Sequence, residues 1–189
     1  MKPRYWFQKP YADFVQRLRV PCGFLLLIAF AWLSAPCRTS LLAGLAICFA
    51  GLLLRAWAAG HLTKDRQLAT SGPYAHMRNP LYAGTLLVAC GIAYASRNVW
   101  LALIFFVVFV FVYLPAIELE EQHLRQIFPS YETYAMRVPR FLPSGKWNAG
   151  RQVFSWARYR HNREYKALIG FLLAFAWLLW KWWRAGKPE

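Results

Sequence analysis

Long uninterrupted apolar runs dominate the chain, separated by short turns or by polar stretches rich in Arg and Lys. Five runs approach the length of roughly 20 residues that a bilayer core requires: about 20–36, 40–60, 80–96, 98–117 and 167–183. A backbone surrounded by hydrocarbon must satisfy its own N–H and C=O groups, so each run is read as a helix. Pro36-Cys37-Arg38-Thr39 turns the chain between the first pair and Ser96-Arg97-Asn98 between the third and fourth. The pattern predicts an all-α integral membrane bundle of about five transmembrane helices with helical segments outside the bilayer. It divides into a basic arm at 1–19, a core at 20–143 and an extension at 144–189 that carries the fifth span.

Charge orients these spans. The N-terminal arm carries Lys2, Arg4, Lys9, Arg17 and Arg19, loop 61–79 carries Lys64, Arg66 and Arg78, and segment 118–166 carries nine cations from Arg125 to Lys166. The intervening turns carry only Arg38 and Arg97. Cationic loops stay in the cytoplasm, so the arm, loop 61–79 and segment 118–166 share the inner side, for which a bacterial inner membrane is the expected setting. The tail, with Lys181, Arg184 and Lys187, then falls outside against the rule. The net charge of +15 therefore tracks topology and lipid contact instead of forming a single stripe for nucleic acid. Arg55, near the inner end of the second span, is expected to snorkel, and Arg158, Tyr159, Arg160 and Arg163 to face headgroups. Cys22, Cys37, Cys48 and Cys90 lie in or beside apolar runs without C-x-x-C spacing, so neither a disulfide framework nor a metal site is expected.

Two polar stretches fall on the inner side. The first is Leu68-Ala69-Thr70-Ser71-Gly72-Pro73-Tyr74-Ala75-His76-Met77-Arg78-Asn79-Pro80-Leu81-Tyr82-Ala83-Gly84. Ser71-Gly72-Pro73 marks a turn, and Asn79-Pro80 reads as cap and first residue of the third span. Arg78 and Asn79 thus stand where helix N–H groups and the positive end of the dipole favour an anion. Tyr82 shares a face with Asn79, and Gly84 admits a close backbone or ligand. Read plainly, the same residues make a capped helix with interfacial Arg and Tyr. The second stretch begins Glu118-Leu119-Glu120-Glu121-Gln122-His123-Leu124. Glu118, Glu121 and Arg125 share a helix face, with Glu120 pointing elsewhere. Carboxylates here suit ribose hydroxyls, an amine or a sulfonium; the plainer reading is a solvated helix end pairing Glu121 with Arg125. Tyr131, Tyr134, Arg137, Val138-Pro139-Arg140 and Pro143 read as a short helix ended by proline that packs under the membrane.

Taken together, Gly72-Pro73-Tyr74, Arg78-Asn79-Pro80-Leu81-Tyr82-Ala83-Gly84, Glu120-Glu121-Gln122-His123-Leu124 and Arg137-Val138-Pro139 resemble the isoprenylcysteine carboxyl methyltransferase and phospholipid methyltransferase superfamily. The resemblance covers about residues 61–143, and Asn79 stands where the family motif has His. It implies a site for S-adenosylmethionine and a lipophilic or lipid acceptor arriving from the bilayer. Leu68, Gly72, Pro73, Tyr74, Asn79 and Tyr82 would hold the cofactor, Glu120 and Glu121 would close the pocket, and Arg78 and Glu121 would serve the reaction. Such chemistry needs no catalytic triad or metal cluster, and the sequence has no G-x-G fingerprint of a soluble dinucleotide fold. The rival readings are an NADPH-dependent membrane reductase and a non-catalytic lipid-binding membrane protein.

Overall fold

The computed structural model describes residues 7–143 and 152–186. Lys2, Arg4 and Lys187, and the boundary set at 144, lie outside the described residues. Helices α1 (Lys9–Leu33), α2 (Arg38–His61), α3 (Pro80–Ala95), α4 (Val99–Val108), α5 (Leu114–Ile127), α6 (Tyr131–Arg137), α7 (Trp156–His161) and α8 (Tyr165–Arg184) follow in order, and no strand occurs among the described residues. A π-helical segment, Phe109–Tyr113, fuses α4 and α5 into one 29-residue helix, Val99–Ile127. Three helices are long and apolar enough to cross a membrane: Arg38–His61, Val99–Ile127 and Tyr165–Arg184. Helix α1 makes a fourth when its halves, Lys9–Leu18 and Pro21–Leu33, count as one span bent by 50°. The chain is an integral membrane protein with a helical bundle. The run expected as a span at 80–96 forms the 16-residue α3, a little shorter than a full crossing.

Proline accounts for two irregularities. Pro21 interrupts α1, because it donates no N–H and its ring crowds the carbonyl four residues back. Pro115 in the long helix likewise leaves Phe111 O without its usual donor. Tyr11 Oη fills that place at 2.8 Å, and the π-turn absorbs the displaced residue, with Leu114 N–H reaching back to Phe109 O. In a bilayer, repair of this kind from a neighbouring helix is what makes an internal proline tolerable.

Small residues set the pairing of α2 with α3. A Cβ on Gly51 would stand 2.7 Å from Gly84 O, and one on Gly91 would stand 2.5 Å from Cys48 Sγ and 2.7 Å from Gly44 O. The two backbones touch along a seam of Gly44, Cys48 and Gly51 against Gly84, Val88 and Gly91, the small-residue packing that holds helices together in lipid. The close approach foreseen at Gly84 is thus to the backbone of α2. Two cross-helix bonds fasten the seam, Ser40 Oγ to Ala95 O (3.0 Å) and Cys48 Sγ to Val88 O (3.3 Å).

The hydrogen bonds define two ends of the bundle. At one, Ala35 N–H donates to Ser96 O (2.9 Å) and Asn98 Nδ2 to Leu33 O (2.9 Å), while Lys181 Nζ reaches Ala31 O (3.2 Å). The turns with Arg38 and Arg97 and the C-terminal end of α8 therefore lie together. At the other end lie the last turn of α2, the start of α3 and the acidic turns of α5.

Candidate active site

The last turn of α2 and the following loop shape the first polar stretch. Gly72 has φ +58°, and a Cβ there would stand 2.8 Å from the His61 ring, so only glycine suits the turn on both counts. His61 is itself buried, its Nδ1 2.9 Å from Trp57 O. Past the short 3₁₀ turn Gly72–Ala75, the chain is stitched to the residues after α6. Tyr134 Oη donates to Tyr74 O (2.7 Å), Arg78 N–H to Pro139 O (2.8 Å) and Asn79 N–H to Arg140 O (3.1 Å). The two motif stretches, some sixty residues apart in sequence, thus share backbone bonds.

Glu121 is the electrostatic centre of this junction. It is 1% exposed, and such a carboxylate requires compensation. Asn79 Nδ2 donates to Oε1 at 3.0 Å, Arg78 Nε stands 3.4 Å from the same oxygen, and Arg140 Nε and Nη2 both lie 3.1 Å from Oε2. Arg78 Nη1 also donates to Ala135 O (3.3 Å). The pairing of Glu121 with Arg125, the plain alternative on helical spacing, does not form: Arg125 makes its ion pair with Glu132, at 3.0 Å. Arg140, read as packing, is a partner of Glu121. Asn79 takes the N-cap position of α3, but its side chain makes no cap bond and serves Glu121 instead.

A cavity of about 430 Å³ opens beside the clasp. Leu68, Tyr74, Arg78, Asn79, Tyr82 and Glu120 line it, and Tyr82 Oη donates to Glu120 Oε2 at 2.8 Å. Three other candidate residues are not in its wall. Gly72 is occupied by the turn against His61, Pro73 is buried beneath the loop, and Glu121 is the counter-charge of Arg78 and the acceptor for Asn79. The wall also takes Tyr131 from α6, and Asp13 and Gln16 from α1, which the motif spacing does not single out. Tyr131 Oη is buried without a hydrogen-bond partner among the described residues. Burial pushes the phenols of Tyr74, Tyr131 and Tyr134 well above the usual tyrosine range, reinforced by the charge of Glu120 at Tyr74 and of Glu121 at Tyr131. Five of the chain's eight acids gather here: Asp13, Asp65 and Glu120 in the wall, with Glu118 and Glu121 buried on the helix that carries Glu120. Among the described residues, no group of three or more His, Cys, Asp and Glu is placed to hold a metal ion.

The extension is integrated with this end. Arg55 does not snorkel: it pairs with the buried Glu164 and donates to Thr85 Oγ1 and to Leu81 O (3.2 Å), at the first turn of α3. Arg158 does not face headgroups either. Its Nε donates to Gly60 O (2.8 Å), and Asn162 Nδ2 donates to Ala59 O (2.9 Å) and Leu62 O (3.0 Å). These bonds satisfy carbonyls that the end of α2 leaves open.

The chain is similar to several known proteins over part of its length. The nickel-cobalt-cadmium resistance protein NccN of Alcaligenes xylosoxydans is 32% identical over 114 residues, 59% of this chain and 52% of its own. The cobalt-zinc-cadmium resistance protein CzcN of Cupriavidus metallidurans is 31% identical over the same length, 59% of this chain and 51% of its own. A protein-S-isoprenylcysteine O-methyltransferase of Schizosaccharomyces pombe is 31% identical over 141 residues, 71% of this chain and 59% of its own. The chain thus spans about half the length of the first two relatives, and no solved structure matches it. The model of the phospholipid methyltransferase family matches residues 39–131, from the start of α2 to the start of α6. That stretch of the chain, which holds the α2–α3 seam, Arg78, Asn79, Tyr82, Glu120 and Glu121, is similar to the phospholipid methyltransferase family.

Proposed function

We propose that this protein transfers a methyl group from S-adenosylmethionine to a lipophilic acceptor at the cytoplasmic face of a bacterial inner membrane. One observation carries the reading: the two motif stretches join around a cavity at one end of the membrane helices. Its volume, about 430 Å³, lies in the range of small-molecule sites. The lining suits a nucleoside with a cationic sulfur: the carboxylate of Glu120, the unpartnered Tyr131 hydroxyl and an apolar floor from Leu68, Leu124 and Phe128. The cations at this end, including Lys64, Arg78, Arg140 and Arg158, support its cytoplasmic placement.

When bound, S-adenosylmethionine supplies a methyl group on a positively charged sulfur, and the protein's task is alignment and exclusion of water. Glu121 has two parts in this. It fixes Arg78 and Asn79 at the cavity wall, and it masks the charge of Arg78, which would otherwise repel a cationic ligand. Arg78 then orients an acceptor oxygen or carboxylate. Tyr74, Tyr131 and Tyr134 stay protonated and help to dry the wall. The acceptor enters from the lipid between helices.

The test is to incubate purified protein with radiolabelled S-adenosylmethionine and host lipid extract, then separate the phases. Label should enter the organic phase and disappear with Arg78→Ala. Unlabelled lipid, together with no calorimetric binding of S-adenosylhomocysteine, refutes the reading; heat with NADPH in its place supports a reductase.

A further inference from the structure

Helix α1 lies outside the residues that match the methyltransferase family, yet it supplies part of the cavity wall. Asp13 and Gln16, three residues apart, share a face of its first half, and both line the cavity. Ala12 and Val15, 1% and 3% exposed, pack the same half against the protein. Two bonds tie it down: Phe7 N–H donates to Glu118 Oε2 at 3.0 Å, and Tyr11 Oη to Phe111 O at 2.8 Å. Both acceptors belong to the Val99–Ile127 helix, which also carries Glu120. The position of Asp13 is therefore set relative to the opposing motif residues.

The three carboxylates of the wall differ in their engagements. Glu120 accepts from Tyr82, and Asp65 stands 3.5 Å from His123 Nε2. Asp13 forms no ion pair with the described residues. It shares the cavity with the buried hydroxyl of Tyr131, so that among the described residues the pocket presents both an open anionic acceptor and an open polar hydroxyl. An ammonium meeting a carboxylate makes a charge-assisted hydrogen bond of the stronger kind.

We propose that Asp13, with Gln16 beside it, is a ligand-binding residue whose carboxylate receives the ammonium at the amino-acid end of the S-adenosyl ligand. This rests on the methyltransferase reading above, and it makes the first half of α1 part of the site.

Calorimetry on the full-length protein with two ligands tests it. S-adenosylhomocysteine carries the ammonium; 5′-methylthioadenosine keeps the nucleoside thioether and lacks the amino acid. In Asp13→Asn, S-adenosylhomocysteine should bind about tenfold more weakly, the loss of one charge-assisted bond. Methylthioadenosine should change by less than about twofold, which also shows that the pocket is intact. An equal loss for both ligands, or no loss for either, overturns the assignment of Asp13. If the wild-type protein binds neither ligand, the methyltransferase reading falls, and the assignment with it.

Discussion

Glu121→Gln removes one charge from the centre of the site and leaves its shape nearly unchanged. In the wild-type protein, a side chain 1% exposed balances Arg78 and Arg140, whose side chains are 11% and 20% exposed. The variant leaves two guanidinium groups facing a neutral amide. Breaking a buried pair by removing one partner costs about 3–5 kcal/mol. The partial exposure of Arg140 lets water recover some of this, so the lower end, about 3 kcal/mol, is expected. For a chain of this size each kcal/mol moves Tm by about 2–4 °C, giving a fall of roughly 6–12 °C. Thermal unfolding of the purified protein in mild detergent, followed by circular dichroism, measures it. Glu120→Gln is the control: Glu120 is exposed and bonds only the Tyr82 hydroxyl among the contacts described, so its Tm should shift by less than about 4 °C. A Glu121→Gln variant as stable as Glu120→Gln would refute the claim that Glu121 is the charge on which the junction rests.

Other outcomes follow from the same structure. Gly51→Ala should lower Tm, because its Cβ would stand 2.7 Å from Gly84 O and 2.8 Å from Val88 N, forcing the helices apart at about 1–3 kcal/mol; unchanged melting would deny the close seam. Tyr11→Phe should cost about 1 kcal/mol by orphaning Phe111 O, seen as a small Tm loss that Tyr159→Phe does not reproduce. Alkaline titration should separate two classes of phenol by absorbance near 295 nm. Solvent-facing tyrosines ionise near pH 10, whereas Tyr74, Tyr131 and Tyr134, raised by burial, stay protonated in the folded state. Their folded values exceed the unfolded one, so the stability they contribute is complete below about pH 10 and falls as pH rises beyond it. Ionisation of all ten tyrosines near pH 10 without unfolding would contradict that.

Where an element is dictated by its own residues, the sequence alone determined it. Runs of apolar residues must become helices in lipid, so the placement of α2, the Val99–Ile127 helix and α8 could be read directly, as could Asn79-Pro80 as the start of α3. The shared end of the two polar stretches also follows from charge and the parity of spans. What needed the tertiary structure is every partner chosen across the bundle. Helical spacing offered Glu121 the nearby Arg125, but the fold turns Glu121 inward to Arg78 and Arg140 and leaves Arg125 to Glu132. Arg55 and Arg158 look interfacial by position, yet Arg55 finds the buried carboxylate of Glu164 and Arg158 the Gly60 carbonyl at the end of α2. Asp13 and Gln16 carry no motif; they reach the cavity because Pro21 bends α1 and Tyr11 docks on the carbonyl that Pro115 leaves unpaired. Local sequence sets backbone conformation through steric and solvation terms that act within a few residues, whereas the pairing of buried charges depends on which distant groups packing brings within hydrogen-bond reach.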